Sequence, residues 1–266
     1  MSTINNASPE MQADTKTHNC LVDKQFGSQA ERYLTSSVHA FGAEFSEVER
    51  LVQQFDHPHV LDLGSGAGHI SFYTAPFAQQ VIAYDLSEKM LEVVIDSAKQ
   101  KKLDNITTVK GIAESLPFPD NHFDVVISRF SAHHWQDVPL ALREMRRVCQ
   151  PNGKIMLIDI MAPASPLCDT FLQTIEMLRD NSHVRDYSSS EWQYMFGKVG
   201  LNVQQTQTHK LTLAFDSWVT RMRTPEIYVT AILNLQQHIG QEVRDYYNIQ
   251  ADGTFTTDVI TITATV

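Results

Sequence analysis

The amino-acid sequence predicts an α/β fold with an open, mostly parallel sheet, and three observations carry that expectation. His59-Val60-Leu61-Asp62-Leu63 reads as a buried strand that enters three glycines on alternate positions, Gly64, Gly66 and Gly68, and then an apolar-periodic helix. A second buried strand, Val81-Ile82-Ala83-Tyr84, ends in an acidic residue, Asp85. Beyond it, short apolar runs keep alternating with helical periodicity, the pattern of strand–helix units rather than of hairpins. At 266 residues, one such domain with additions is the natural size.

Composition narrows the class. Apolar residues make up 42% and charged residues 20%, as in an ordinary soluble globular chain. A net charge of −10 and a pI near 5.5 argue against a nucleic-acid partner. Cys20, Cys149 and Cys168 have neither metal-ligand nor paired spacing, so no metal is expected and the thiols read as reduced. No run approaches the ~18 apolar residues of a membrane span. The polar amino terminus lacks the basic-then-apolar layout of a signal peptide, so a cytoplasmic location is expected.

Taken in order, residues 1 to about 18 are rich in Ser, Asn, Thr and Asp and predict a loose tail, with order beginning near Leu21. Phe26, Ala30, Tyr33 and Leu34 fall on one helical stripe, continued by Val38, Phe41 and Phe45. After the glycine turn and the second strand, Ser87 is placed to cap a helix whose buried face is Met90, Leu91, Val94, Ile95 and Ala98. A third strand covers about Ile106 to Val109, and Phe123-Asp124-Val125-Val126-Ile127-Ser128 is a fully buried fourth. A helix over about Val138 to Cys149 follows, with Arg143, Arg146 and Arg147 as a solvated face. Pro151-Asn152-Gly153 turns into a fifth strand, Lys154 to Ile160, containing Asp159. A helix from about Leu167 to Arg179, another starting at Ser188-Ser189-Ser190-Glu191, a strand over Leu201 to Thr212, helices over Asp216 to Tyr247 and a terminal strand near Phe255 to Ile262 complete the chain.

The glycine turn and Asp85 point to chemistry. Glycine lets a backbone bend sharply and a ligand approach it closely. An acid at the tip of the second strand of such a unit accepts hydrogen bonds from ribose hydroxyls, so the pair indicates an adenosine-type cofactor. In the dinucleotide fingerprint G-x-G-x-x-G the third glycine would fall on His69, but here Gly68 comes one residue earlier, giving D-x-G-x-G-x-G from Asp62. This resembles the first motif of class I S-adenosylmethionine-dependent methyltransferases. The order of later motifs is similar to the branch around the ubiquinone/menaquinone-biosynthesis enzymes. A narrower bacterial likeness rests on Leu21 to Ala30, Ser131-Ala132-His133-His134-Trp135, Ser182-His183-Val184-Arg185 and Ser217 to Pro225.

That resemblance implies a doubly wound, Rossmann-like seven-stranded sheet of order 3-2-1-4-5-7-6 with the last strand antiparallel. It implies a single domain over 19–266, a helical lid over 19–50, acceptor-side insertions over 161–200 and 215–250, and S-adenosyl-L-methionine as cofactor. Cofactor contacts are expected from Asp62, Gly64, Ser65, Gly66, Gly68, Asp85, Leu86, Met90, Ala113, Glu114 and Ser128. Tyr33 either reaches the methionyl carboxylate or packs the lid helix, and Met90 either touches adenine or fills the core. Gly111-Ile112-Ala113-Glu114-Ser115-Leu116-Pro117-Phe118 matches a family segment except at Ile112, where the family's Asp binds the adenine amino group. Glu114 or a backbone carbonyl must then serve.

His133 and His134 follow the fourth strand, where open parallel sheets bind ligands, and either could be a general base or a hydrogen-bonded structural residue. The expected reaction is methyl transfer to a small-molecule acceptor; Arg221 and Arg223 either suit an acidic one or are surface or ion-pair arginines. A cofactor-binding protein without turnover and a nicotinamide oxidoreductase are the rival classes; the displaced third glycine counts against the latter. A protein or RNA acceptor is the weaker variant.

Overall fold

A computed structural model describes residues 17–27, 42 and 44–266. The strands are β1 (His59–Leu63), β2 (Gln80–Asp85), β3 (Ile106–Lys110), β4 (Phe123–Arg129), β5 (Cys149–Ala162), the two-residue β6 (Tyr187–Ser188), β7 (Asn202–Leu213) and β8 (Phe255–Thr265). They form one sheet of order β3-β2-β1-β4-β5-β8-β7, with β6 paired to the end of β5. Setting β6 aside, this is the expected 3-2-1-4-5-7-6. The β1, β2, β3, β4 and β5 pairings are parallel, whereas β8 runs antiparallel to both β5 and β7.

The helices are α1 (His18–Gly27), α2 (Glu44–Val52), α3 (His69–Thr74), α4 (Glu88–Lys101), α5 (Val138–Val148), α6 (Pro166–Arg179), α7 (Ser189–Lys198), α8 (Phe215–Met222), α9 (Glu226–His238) and α10 (Gln241–Tyr246). Strand residues alternate between two cores, as a sheet covered on both faces requires. Val60, Val81, Val125, Ile127 and Ile158 pack with residues of α2, α6 and α8, while Leu61, Ile82, Val126 and Leu157 pack with α5 and α7. None of the described helices is long and apolar enough to cross a membrane.

Two local expectations change. β5 begins at Cys149 rather than Lys154, with a register irregularity against β4 between Phe123 and Val125. Arg147 is not part of a solvated face: its guanidinium binds Glu144, Asp120 and the carbonyls of Leu116 and Phe118, tying α5 to the loop before β4. Strand order reverses between β1 and β4, and the crevice at that reversal is where open α/β sheets bind ligands.

Candidate active site

The three glycines after β1 do three different things. Gly64 has φ +72°, and an added Cβ would collide with the Ser131 side chain, so the β1 turn abuts the loop after β4. Gly66, at φ +50°, would meet nothing within 4 Å and lies on the wall of an open cavity of about 1040 Å³. Gly68, at φ +86°, would drive a Cβ to 2.9 Å from both the Phe72 ring and Val94 Cγ2. It therefore seats α3 against α4, while Gly64 and Gly66 line the cavity. Because α3 has only six residues, the glycine turn itself, not a helix terminus, offers the polar surface.

Asp85 is held at the cavity rim. Its Oδ2 accepts the Gly66 N–H at 2.8 Å and its Oδ1 accepts the Ser87 N–H at 2.8 Å. Burial pushes its carboxyl above the usual range, against those two bonds. Asp62 also lines the cavity, where its Oδ2 accepts both the N–H and the O–H of Ser71 and pins α3 to β1. Burial raises its pKa to about 7, opposed by the Ser71 bonds. A raised carboxyl pKa means that folding favours the protonated form. That stability is complete below the ordinary value of 3.8 and is lost as pH rises through about 7. Asp62→Asn in the cofactor-free protein should therefore melt higher than wild type at pH 8, by about 2–4 °C per kcal/mol, with the gap narrowing as pH falls and closing only near the ordinary value of 3.8. Melting curves across that range check this.

Leu86, Met90 and Ala113 lie on the same wall, together with Ser65 and Ile112. Met90 packs against Ala67 and Met222 as well, so it serves core and cavity at once. Glu114 lines the cavity, but its Oε1 accepts the backbone N–H groups of Gln136 and Asp137, which commits the carboxylate to bracing the loop before α5. Ser128 is 1% exposed within β4, with its Oγ buried and without a hydrogen-bond partner among the described residues, and the next residue, Arg129, lines the cavity. Tyr33 lies outside the described residues.

Sequence reasoning missed Arg129 and Phe130. Arg129 bonds Glu44 Oε1 through Nε at 2.9 Å and Nη2 at 2.6 Å, with its guanidinium over the Phe45 and Phe130 rings. Phe130 adopts φ +51°, a strained setting for an aromatic residue and one that clusters at functional sites. A basic residue directly after the apolar run Val125-Val126-Ile127 and Ser128 was the available signal for Arg129.

The cavity fits a polar, adenosine-sized ligand. Ser65 Oγ and Ser87 Oγ are buried on its wall with no hydrogen-bond partner among the described residues, and Gly66 leaves room for close backbone approach. Gly66→Ala should preserve the melting temperature within a few degrees, since only a left-handed residue penalty of about 1–2 kcal/mol applies. It should lower affinity for S-adenosylhomocysteine at least tenfold in calorimetric titration.

A second cavity of about 570 Å³ adjoins the first, and Phe26 of α1, Phe130 and His134 line both. His133, Glu176, Asp180, Asp186 and Arg221 supply its polar wall, and Leu211, Leu213 and Trp218 an apolar one. Arg179 lines it too but is paired with Glu176, while Arg185 binds Asp169 and Glu191. Arg223 and His183 are absent from its wall. Of the two arginines expected to suit an acidic acceptor, Arg221 lines this cavity.

The two adjacent histidines are set apart by their surroundings. His133 Nδ1 lies 2.6 Å from Asp159 Oδ1, and its backbone N–H donates to Asp159 Oδ2 at 3.2 Å. Burial alone would lower its pKa, but the Asp159 carboxylate outweighs burial and raises it to about 9. His134 Nδ1 donates to the Ser182 carbonyl at 2.9 Å, which places the lone pair of the neutral ring on Nε2. Burial, aided by the charge of His133, lowers its pKa to about 4. The Phe26 ring meets it edge-on at 4.8 Å. His134 thus stands neutral at the junction of the cavities, whereas His133 faces only the second.

Comparison with known proteins agrees with this arrangement. Residues 61–157 match the model of a methyltransferase domain family. Uncharacterized protein YafE of Escherichia coli K12 is 51% identical over 201 residues, covering 76% of this chain and 97% of that protein. The crystal structure of YcgJ from Bacillus subtilis, 36% identical, superposes with a TM-score of 0.78 over 83% of this chain and 97% of that one. The ubiquinone/menaquinone biosynthesis C-methyltransferase UbiE of Shewanella frigidimarina is 33% identical over 59% of this chain and 65% of that protein.

Proposed function

Because this chain belongs to the class I S-adenosylmethionine-dependent methyltransferases, we propose that it methylates a small-molecule acceptor held in the second cavity. The observation that carries this reading is the shared wall. The second cavity meets the cofactor cavity at Phe26, Phe130 and His134, so a ligand in one lies beside a ligand in the other. When bound, S-adenosylmethionine supplies an electrophilic methyl group on a sulfonium sulfur. The protein has to hold an acceptor in line with that methyl and keep water out.

In this reading Asp85 and the Ser65–Gly66 turn hold the adenosine end. Helix α1 closes over both sites as a lid. His18 Nε2 lies 2.9 Å from the His134 carbonyl, Gln136 donates to Asn19 at 2.8 Å and Gln25 donates to the Met222 carbonyl at 3.0 Å. The segments 161–200 and 215–250 build the acceptor side, α6 with Glu176 and Arg179, and α8 with Trp218 and Arg221. His134 Nε2 takes the acceptor's proton. A weakly basic imidazole suffices for a hydroxyl acceptor, because an oxygen forming a bond to carbon becomes far more acidic than the free alcohol.

Incubating the purified protein and methyl-labelled S-adenosylmethionine with a metabolite extract tests the reading. Label should move into a compound of low molecular mass. Label found only in protein or RNA would overturn the small-molecule assignment.

A further inference from the structure

We propose that His133, Asp159 and Asp186 form a binding site for a divalent first-row transition-metal cation in the wall of the second cavity. One ring nitrogen of His133 and one carboxylate oxygen from each aspartate lie within 4.8 Å of one another. Ligands around an ion with bonds of about 2.0–2.2 Å stand roughly 3–4.3 Å apart, so the ion would replace the proton shared by His133 Nδ1 and Asp159 Oδ1, 2.6 Å apart, with that pair opening slightly as Asp186 swings in. All three come from different elements: the loop after β4, the middle of β5 and the segment entering β6.

The independent observation is Asp186. It is 1% exposed, and its Oδ2 is buried with no hydrogen-bond partner in the described structure. The nearest basic nitrogen, His183 Nε2, is 3.9 Å away and bonds Gln173 Oε1 at 3.1 Å. A buried carboxylate oxygen without a donor is costly unless a cation compensates it. The surroundings are acidic as well. Asp159, Glu176, Asp180 and Asp186 converge here, and Arg179 is already engaged by Glu176.

Donor chemistry selects the ion. An imidazole nitrogen with two carboxylates suits Mn²⁺, Fe²⁺ or Zn²⁺ better than Mg²⁺ or Ca²⁺, which prefer all-oxygen shells. Three protein ligands leave coordination positions open, and His133 and Asp186 both face the cavity. Those positions are available to an oxygen-bearing acceptor. The link to the acceptor rests on the methyl-transfer reading, but ion binding itself does not.

Titration of the full-length protein with Mn²⁺ alone, followed by electron paramagnetic resonance and calorimetry, tests the site. One equivalent should bind saturably, with nitrogen coupling from a single imidazole. Asp186→Asn, which keeps the side chain's shape, should weaken that binding at least tenfold, while the metal-free variant melts no lower than wild type and its S-adenosylhomocysteine affinity stays at the wild-type value. Absence of saturable Mn²⁺ binding, or equal binding by Asp186→Asn, overturns the proposal. Retained S-adenosylhomocysteine binding in either case leaves the methyltransferase reading standing, so the two failures are separable.

Discussion

Asp85→Ala should weaken S-adenosylhomocysteine binding by roughly 10–150-fold, the equivalent of about 1.5–3 kcal/mol for a lost hydrogen bond to a charged group. The carboxylate lies at the tip of β2, where the fold presents an acid to ribose hydroxyls, and it is already oriented by the N–H groups of Gly66 and Ser87. Removing it has two effects, since the Gly66 turn loses its anchor along with the ribose. Asp85→Asn separates them, because its amide oxygen can keep one backbone N–H while the negative charge is gone. Affinity should therefore fall in the order wild type, Asn, Ala, measured by calorimetry alongside melting curves. Wild-type affinity in Asp85→Ala would remove the ribose assignment. NADH should not bind, and saturable NADH binding would favour a nicotinamide oxidoreductase.

What was legible in the sequence is local in sequence. The β1 strand, its glycine turn and the acid closing β2 sit within 27 residues, and both strand–turn–helix periodicity and turn chemistry are short-range signals. The sheet order came with the family resemblance, because parallel strands are joined by crossovers and the pairing partners are not sequence neighbours. What could not be read depends on distant partners. The role of Gly68 is set by Val94 on the next helix. Arg129 depends on Glu44, 85 residues earlier, and His133 on Asp159, 26 residues later. Which of Ser128 and Arg129 reaches the cavity is also unreadable, since Val126 lies on the α5 and α7 face and Ile127 on the opposite one, both among apolar residues. Parity at a strand end cannot be fixed when both faces are apolar.

His134→Gln should lower turnover by roughly 10²–10⁴-fold, the range of a lost general base, while cofactor affinity changes little. The choice of His134 over its neighbour follows from geometry. His134 lines both cavities, its Nδ1 is fixed by the Ser182 carbonyl, and its free lone pair is on Nε2. His133 reaches only the second cavity and gives its Nδ1 to Asp159. Glutamine can retain a donor towards Ser182 and much of the ring's volume, so the loop over 131–135 keeps its support. A purely structural role predicts another pattern: a lower melting temperature, with turnover per folded molecule largely kept. An acceptor that ionises without help would also leave the rate intact, and it would show this by a rate that follows the acceptor's own ionisation. Single-turnover methylation rates of wild type, His134→Gln and His133→Gln, each paired with a melting curve, distinguish these outcomes. A wild-type rate in a stably folded His134→Gln protein removes the base role from this residue. A selective loss in His133→Gln would move the chemistry to the Asp159-bound imidazole.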